Sequence, residues 1–273
     1  MHPLMNNSFG FNVYDRRPEE FLDYAAEHGL THIEMNLSKD HSSITRFDTK
    51  RIDALNHFCR MHDMQLSIHL PYAINIADII SYIQKTNISY LNKCIRLAKD
   101  LNVTHITAHI GNFYWFPVER WTRRKAIQRF IRNMGRVIEN CHKHNVVIAL
   151  ENVVPIPHGS EFYLLGDSIE DLELIFSEIE SEYLRFCLDT GHANVGEGVL
   201  PYVERFQDRL TSVHYHDNNM NNDEHLPVGE GTVPWRDLVT VLGEIAYEGP
   251  FISEIRGLEP HEAAIGLKSY FEK

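Results

Sequence analysis

A chain of 273 residues, 43% hydrophobic and 23% charged, is long enough to bury a sizeable core and falls in the size range of one α/β barrel, so a single domain over 1–273 is expected. The formal net charge of −12 argues against broad attraction to nucleic acid or anionic membrane, although clustered acidic ligands lose their charge once cations bind. No apolar run reaches membrane-spanning length, no basic-then-apolar leader opens the chain, and Cys59, Cys94, Cys141 and Cys187 form no Cys-x-x-Cys pair, which points to a soluble cytoplasmic protein with reduced thiols and no membrane partner.

The elements alternate from the start. A β segment near Ser8 to Val13 leads into Arg17-Pro18-Glu19-Glu20, where proline opens a helix that Gly29 closes. Thr31 to Asn36 reads as a strand and Asp48 to His62 as a helix. Strand Gln65 to Leu70, helix Thr86 to Leu101, strand Val103 to His109 and helix Glu119 to His144 follow. Then come strand Val146 to Glu151, helix Ile169 to Ile179, strand Leu184 to Asp189, helix Leu200 to Gln207 and strand Leu210 to His216. Helix Trp235 to Ala246, strand Pro250 to Glu254 and helix Pro260 to Phe271 end the series. Strand and helix repeat without a linker, which predicts the α/β class and a closed (β/α)8 TIM barrel. A doubly wound open sheet is the alternative, but no Gly-x-Gly-x-x-Gly follows the first strand.

The strand ends share a chemistry. His69, His109, Glu151, Asp189, His214 and Glu254 close strands three to eight, and in a barrel those ends converge on the C-terminal mouth. His192, Asp223 and His225 lie just beyond the strands. Any one histidine at a strand end is more often structural, but nine nitrogen and carboxylate donors at one mouth predict a metal site. Nine exceed the three or four protein ligands of one catalytic zinc, so two or three Zn2+ ions are expected, with Glu151 as the bridge and Mn2+ or another divalent ion as the alternative.

Three stretches carry a family resemblance: His69-Leu70-Pro71-Tyr72 with Asn75-Ile76, Leu188-Asp189-Thr190-Gly191-His192-Ala193, and Asp223-Glu224-His225 leading to Gly229-Glu230-Gly231. From about Ser8 to Phe271 the chain resembles the xylose isomerase-like barrel superfamily, which includes endonuclease IV and the sugar phosphate isomerases and epimerases. By resemblance to endonuclease IV, His69, His109 and the bridging Glu151 would hold one zinc. Glu151, Asp189, His214 and Glu254 would hold the second, and His192, Asp223 and His225 the third. Tyr72 matches a tyrosine near the DNA in that family, with plain packing as the alternative.

Two stretches depart from endonuclease IV. Asn36-Leu37-Ser38-Lys39-Asp40 lacks the arginine of its DNA-invading segment, and His214-Tyr215-His216-Asp217-Asn218 is closer to the sugar isomerase side, as is Trp235.

Two activities follow. Clustered metals suit phosphoester hydrolysis, of abasic or damaged DNA or of a phosphorylated small molecule, with Glu151 orienting the nucleophile and Glu254 as base. One metal held by Glu151, Asp189, His214 and Glu254 suits isomerisation or epimerisation of a sugar or sugar phosphate, with Glu151 and Glu254 moving the proton. The donor count places the hydrolase first; a metal-binding barrel without catalysis is the third reading. Substrate contacts are expected from Tyr72, Asn112, Trp115 and His216, the middle two in an aromatic mouth loop. Pro155 to Ser160 is a second mouth loop. Arg120, Arg123, Arg124, Lys125, Arg129, Arg132 and Arg136 read first as a solvated helix face and second as a phosphate attractor. Association into oligomers is left open.

Overall fold

A computed structural model describes residues 3–14, 16–114, 120–157 and 160–271. In chain order its strands and α-helices are β1 Phe9–Asn12, α1 Leu22–Glu27, β2 His32–Asn36, α2 Thr49–His62, β3 Gln65–His69, α3 Ser81–Asp100, β4 Ile106–Ala108 and β5 Gly111–Tyr114. They continue with α4 Arg120–His144, β6 Ile148–Glu151, β7 Phe162–Leu165, α5 Ile169–Glu178, β8 Leu184–Asp189, α6 Thr190–Val195 and α7 Val199–Phe206. The last are β9 Leu210–Tyr215, α8 Trp235–Glu244, β10 Phe251–Ser253 and α9 Pro260–Lys268. The parallel strands close in the order β1-β10-β9-β8-β6-β4-β3-β2, the predicted barrel. Among the described residues no helix is long and apolar enough to cross a membrane, and all four cysteines are free.

Side chains alternate along each strand. One set, including Phe9, Phe11, Ile33, Met35, Leu66, Ile68, Ile148, Leu150, Phe186, Leu188, Val213 and Phe251, is buried between barrel and helices. The intervening positions include polar residues that are also buried: His32 and Glu34 on β2, Ser67 and His69 on β3, His105 just before β4 and Thr107 on it, Asp189 on β8, Ser212 and His214 on β9. Contacts across the barrel show that this second set fills the lumen: His214 on β9 reaches Glu34 on β2 and Glu151 on β6. A barrel interior packed with branched aliphatics would be cheaper to form. Gly10 on β1 permits the close approach of β2, since a Cβ there would overlap the His32 carbonyl.

Three local features differ from the sequence expectation. β5 and β7 pair antiparallel outside the barrel; the partners are four-residue segments from two different mouth loops, and neither has a pattern long enough to reveal the other. α6 forms directly on the end of β8 because Asp189 caps it, its side chain accepting the His192 N–H. α3 begins ahead of the expected Thr86 because its N-cap is Ile80, which offers no side-chain bond and hence no sequence signal.

Candidate metal centre

Glu151 ends β6 and is buried. Its Oε2 lies 3.1 Å from His69 Nε2 and 2.9 Å from His109 Nε2, and its Oε1 accepts from His214 Nδ1 at 3.0 Å. Glu254, just past β10, brings Oε1 to 3.4 Å from the same His214 nitrogen and accepts there from Asn12 Nδ2 at 3.2 Å. Two carboxylates from strands three steps apart around the barrel thus converge on one atom.

The Asp189 side of the mouth is built by the Asp-Thr-Gly-His run. Thr190 Oγ1 donates to the His216 carbonyl at 2.8 Å and accepts from the His216 N–H at 3.1 Å, locking the end of β9 onto the end of β8. His216 Nε2 then lies 3.1 Å from Asp189 Oδ1 and 3.3 Å from Oδ2. Gly191 is obligatory, because a Cβ there would overlap the His216 imidazole. Gly191→Ala is expected to displace His216, lowering stability by about 1–3 kcal/mol and divalent-metal affinity by about tenfold or more. Thermal melts and metal titration check both, and unchanged affinity would mean that His216 is not a ligand.

A loop clamped by Asp217 supplies the third group. The Asp217 carboxylate accepts from Trp235 Nε1 at 2.7 Å, Gly229 N at 2.9 Å, Val233 N at 3.0 Å and Asn218 N at 2.9 Å. Between those anchors the chain presents Asp223 and His225, with His225 Nε2 2.9 Å from Asp223 Oδ2. His192 Nε2 lies 3.5 Å from the same oxygen, and His216 stacks on His225 with centroids 4.0 Å apart.

The histidine tautomers test whether a cation suits these groups. His69, His192 and His225 each donate Nδ1–H to a backbone carbonyl, of Leu70 at 2.9 Å, Asn152 at 2.9 Å and Glu254 at 2.6 Å. A carbonyl only accepts, so Nδ1 carries the proton and Nε2 is the atom presented to the carboxylates. A nitrogen lone pair facing a carboxylate oxygen needs a proton or a metal between them, and this is how metal-binding imidazoles are held. The buried Asp223 Oδ1 also has no hydrogen-bond partner, 3.6 Å from His216 Nε2. With a proton in that place, burial opposes the charge of His69, but hydrogen bonding and charge from Glu151 raise its pKa to about 9. Burial likewise opposes His192, whose pKa the Asp189 charge raises to about 10. Burial would raise Glu151, yet the charges of His214 and His109 hold it well below the usual carboxylate range. Cys187 groups with Glu151 and His214, but burial pushes its thiol up to about 12, so the donors are nitrogen and carboxylate oxygen, which fit zinc or manganese.

The expected ligands that meet at the mouth do so as His69, His109 and Glu151; as Glu151, Asp189 and His192; and around Asp223, which His192 and His225 both approach and which also groups with His216 and His225. Glu254 groups lower down with Glu34, His69 and His214. His214, also expected as a ligand, groups with Glu34, His69 and Glu254 and with Glu151 and Cys187 below the mouth. It lies one turn of the pleat deeper, fully buried, and His216, expected to contact substrate, occupies the position beside Asp189. The two histidines share a strand face, and the sequence offers no depth marker to choose between them. Glu34 was missed altogether. Tyr72 is 46% exposed at the rim, its ring 4.2 Å from that of His109. Asn112 sits on β5 and lines an apolar cavity of about 310 Å3 with Ile79, Ile80, Phe113 and Trp121, apart from the donor residues. Trp115 lies outside the described residues, as do His158 and Gly159 of the second mouth loop. On α4, Arg123 pairs with Asp171 and Asp167 and Arg129 donates to the Ala77 carbonyl, so part of the basic run is structural.

A sequence profile of the family described as "Xylose isomerase-like TIM barrel" matches residues 22–270. The chain is similar to a D-psicose 3-epimerase of Enterocloster bolteae, 27% identical over 53% of this chain and 46% of that one. It is also similar to a probable endonuclease 4 of Staphylococcus epidermidis, 28% identical over 68% of this chain and 67% of the relative. Among solved structures, a D-tagatose 3-epimerase-like protein superposes with a TM-score of 0.85 at 24% identity, over 97% of both chains.

Proposed function

Because the chain belongs to the xylose isomerase-like TIM barrel family, we propose that it is a divalent-metal-dependent isomerase or epimerase of a ketose or ketose phosphate. The observation that carries this reading is the convergence of Glu151 and Glu254 on His214 Nδ1, at 3.0 and 3.4 Å. Two carboxylates at one point suit the removal of a proton from a carbon and its return on the other face. The likeness to 3-epimerases in sequence and fold supports the same choice. Sequence alone had put phosphoester hydrolysis first.

In this reading Glu151, Asp189, His216 and Glu254 hold the cation, with His216 in the place expected for His214. When bound, the ion polarises the substrate carbonyl and its neighbouring hydroxyl, which acidifies the C–H between them. Glu151 and Glu254 exchange the proton with that carbon. The Nδ1–H of His225, spent on the Glu254 carbonyl, fixes the backbone from which the base projects. Tyr72 forms part of the rim over which the sugar enters.

The test is incubation of manganese-, cobalt- or zinc-loaded protein with a panel of ketoses and ketose phosphates in D2O. Expected is a stereochemical or positional isomer carrying one deuterium beside the carbonyl. Phosphoester hydrolysis is the second reading, favoured by the His69, His109 and Glu151 group and by His192 and His225 around Asp223, which give room for further ions. Cleavage of abasic DNA, with two or three zinc ions per chain and no deuterium uptake, would replace the first reading by the second.

A further inference from the structure

Glu34 ends in the lumen, wholly buried, and takes more polar contacts than a filler residue needs. Its Oε1 accepts from Thr107 Oγ1 at 2.8 Å and Ser67 Oγ at 3.2 Å, and its Oε2 from Asn12 Nδ2 at 3.0 Å. His214 Nε2 lies 3.2 Å from the same Oε2, as an ion pair out of hydrogen-bond line. Asn12 splits its two donor contacts between Glu34 and Glu254. Residues from β1, β3, β4 and β9 therefore converge on one β2 carboxylate beneath the mouth.

His214 differs from the histidines above it. His69, His192 and His225 have Nδ1 pinned by a carbonyl and turn Nε2 to a carboxylate. His214 has a carboxylate at each nitrogen, Glu34 on one side and Glu151 on the other. With a carboxylate facing each nitrogen it is placed as a link between Glu34 and Glu151. A carboxylate and an imidazole set this deep are costly unless paired, and apolar residues of like volume would fill the lumen as well.

We infer that Glu34 and His214 are positioning residues: Glu34 anchors the His214 ring, and the ring's Nδ1–H holds Glu151 in the orientation that presents its other oxygen beside His69 and His109. The inference rests on the reading above that Glu151 holds a cation. Groups one step behind a ligand fix its orientation, and their loss typically weakens metal binding about 10- to 100-fold.

Two isosteric substitutions separate positioning from bulk packing. His214→Asn keeps an amide donor near the place of Nδ1, facing Glu151. His214→Gln keeps one near the place of Nε2, facing Glu34, and loses the donor to Glu151. Both remove the ring, so both are expected to lower the melting temperature of the metal-free protein by similar amounts. Calorimetric titration of the full chain with Zn2+ or Mn2+, without substrate, then reads the difference. Expected is about tenfold or greater weakening for His214→Gln and a much smaller change for His214→Asn. Equal affinities in the two variants, whether both unchanged or both weakened, overturn the inference while leaving the sugar reading intact. A wild-type chain that takes up no divalent ion overturns both, and a chain that binds metal with the expected ranking but acts on no ketose overturns only the choice of substrate.

Discussion

Glu254→Gln protein saturated with divalent metal is expected to turn over its ketose on the order of 10³-fold more slowly than the wild type, with unchanged far-UV circular dichroism. Glutamine is nearly isosteric and can still accept from Asn12 Nδ2 through its amide oxygen, so the contact at 3.2 Å survives. The backbone contacts of residue 254 survive too, since the bonds to Tyr215 O and from His225 Nδ1 involve only main-chain atoms on its side. What is lost is the carboxylate that would take and return the proton. Measuring kcat and KM across a metal series distinguishes this from a weakened ligand: a base defect persists at saturating metal, whereas a ligand defect is restored. Full activity at saturating metal would remove Glu254 from the proton transfer.

Stripping the metal is expected to have the largest effect on stability. Glu151, Asp189 and Glu254 are buried with Glu34 beneath them, and a cation that binds only the folded chain stabilises it by mass action. At a free ion concentration about a thousand times the dissociation constant this amounts to about 4 kcal/mol. For a domain of this size each kcal/mol moves the melting temperature by about 2–4 °C, so chelation should lower it by about 10 °C. Scanning calorimetry with chelator, and again after zinc or manganese is restored, measures the shift. Metal binding must displace protons from the histidines whose pKa values are raised, so the midpoint gained on adding metal should shrink as the pH falls. A melting temperature indifferent to chelator and to added metal would count against any tightly held ion at the mouth.

The barrel and its rim of donors were legible because they rest on short-range patterns. The strands are short runs with side chains alternating between two faces, barrel strands three to eight end at or beside a donor, and the crossovers are helices with a recognisable period. His214 and His216 show where that legibility stops. Period two places both on the lumen face, and only the bonds from Thr190 to the His216 backbone decide which one reaches Asp189. Glu34 had the same signal, in His32-Ile33-Glu34-Met35-Asn36, but it stands two residues short of the strand end, and attention to strand ends passes over it. Asp217 was unreadable as an anchor because its four partners are spread from Asn218 to Trp235. The pairing of β5 with β7 depends on contacts between distant loops, which no local window contains.

That pairing constrains how the mouth can change over evolutionary time. β5 belongs to the connection after β4 and β7 to the connection after β6, and Gly111↔Leu165 through Tyr114↔Phe162 stitch them into one ribbon. In most barrels of this architecture each connecting loop varies independently, and new specificities arise by lengthening or replacing one. Here a single-residue insertion in either strand would turn every following side chain of the ribbon to the opposite face. The two connections must therefore diversify as a unit, by paired changes or by insertions at the ribbon's open end. The loop that carries Asp223 and His225 is held instead by Asp217 and is free of that restriction.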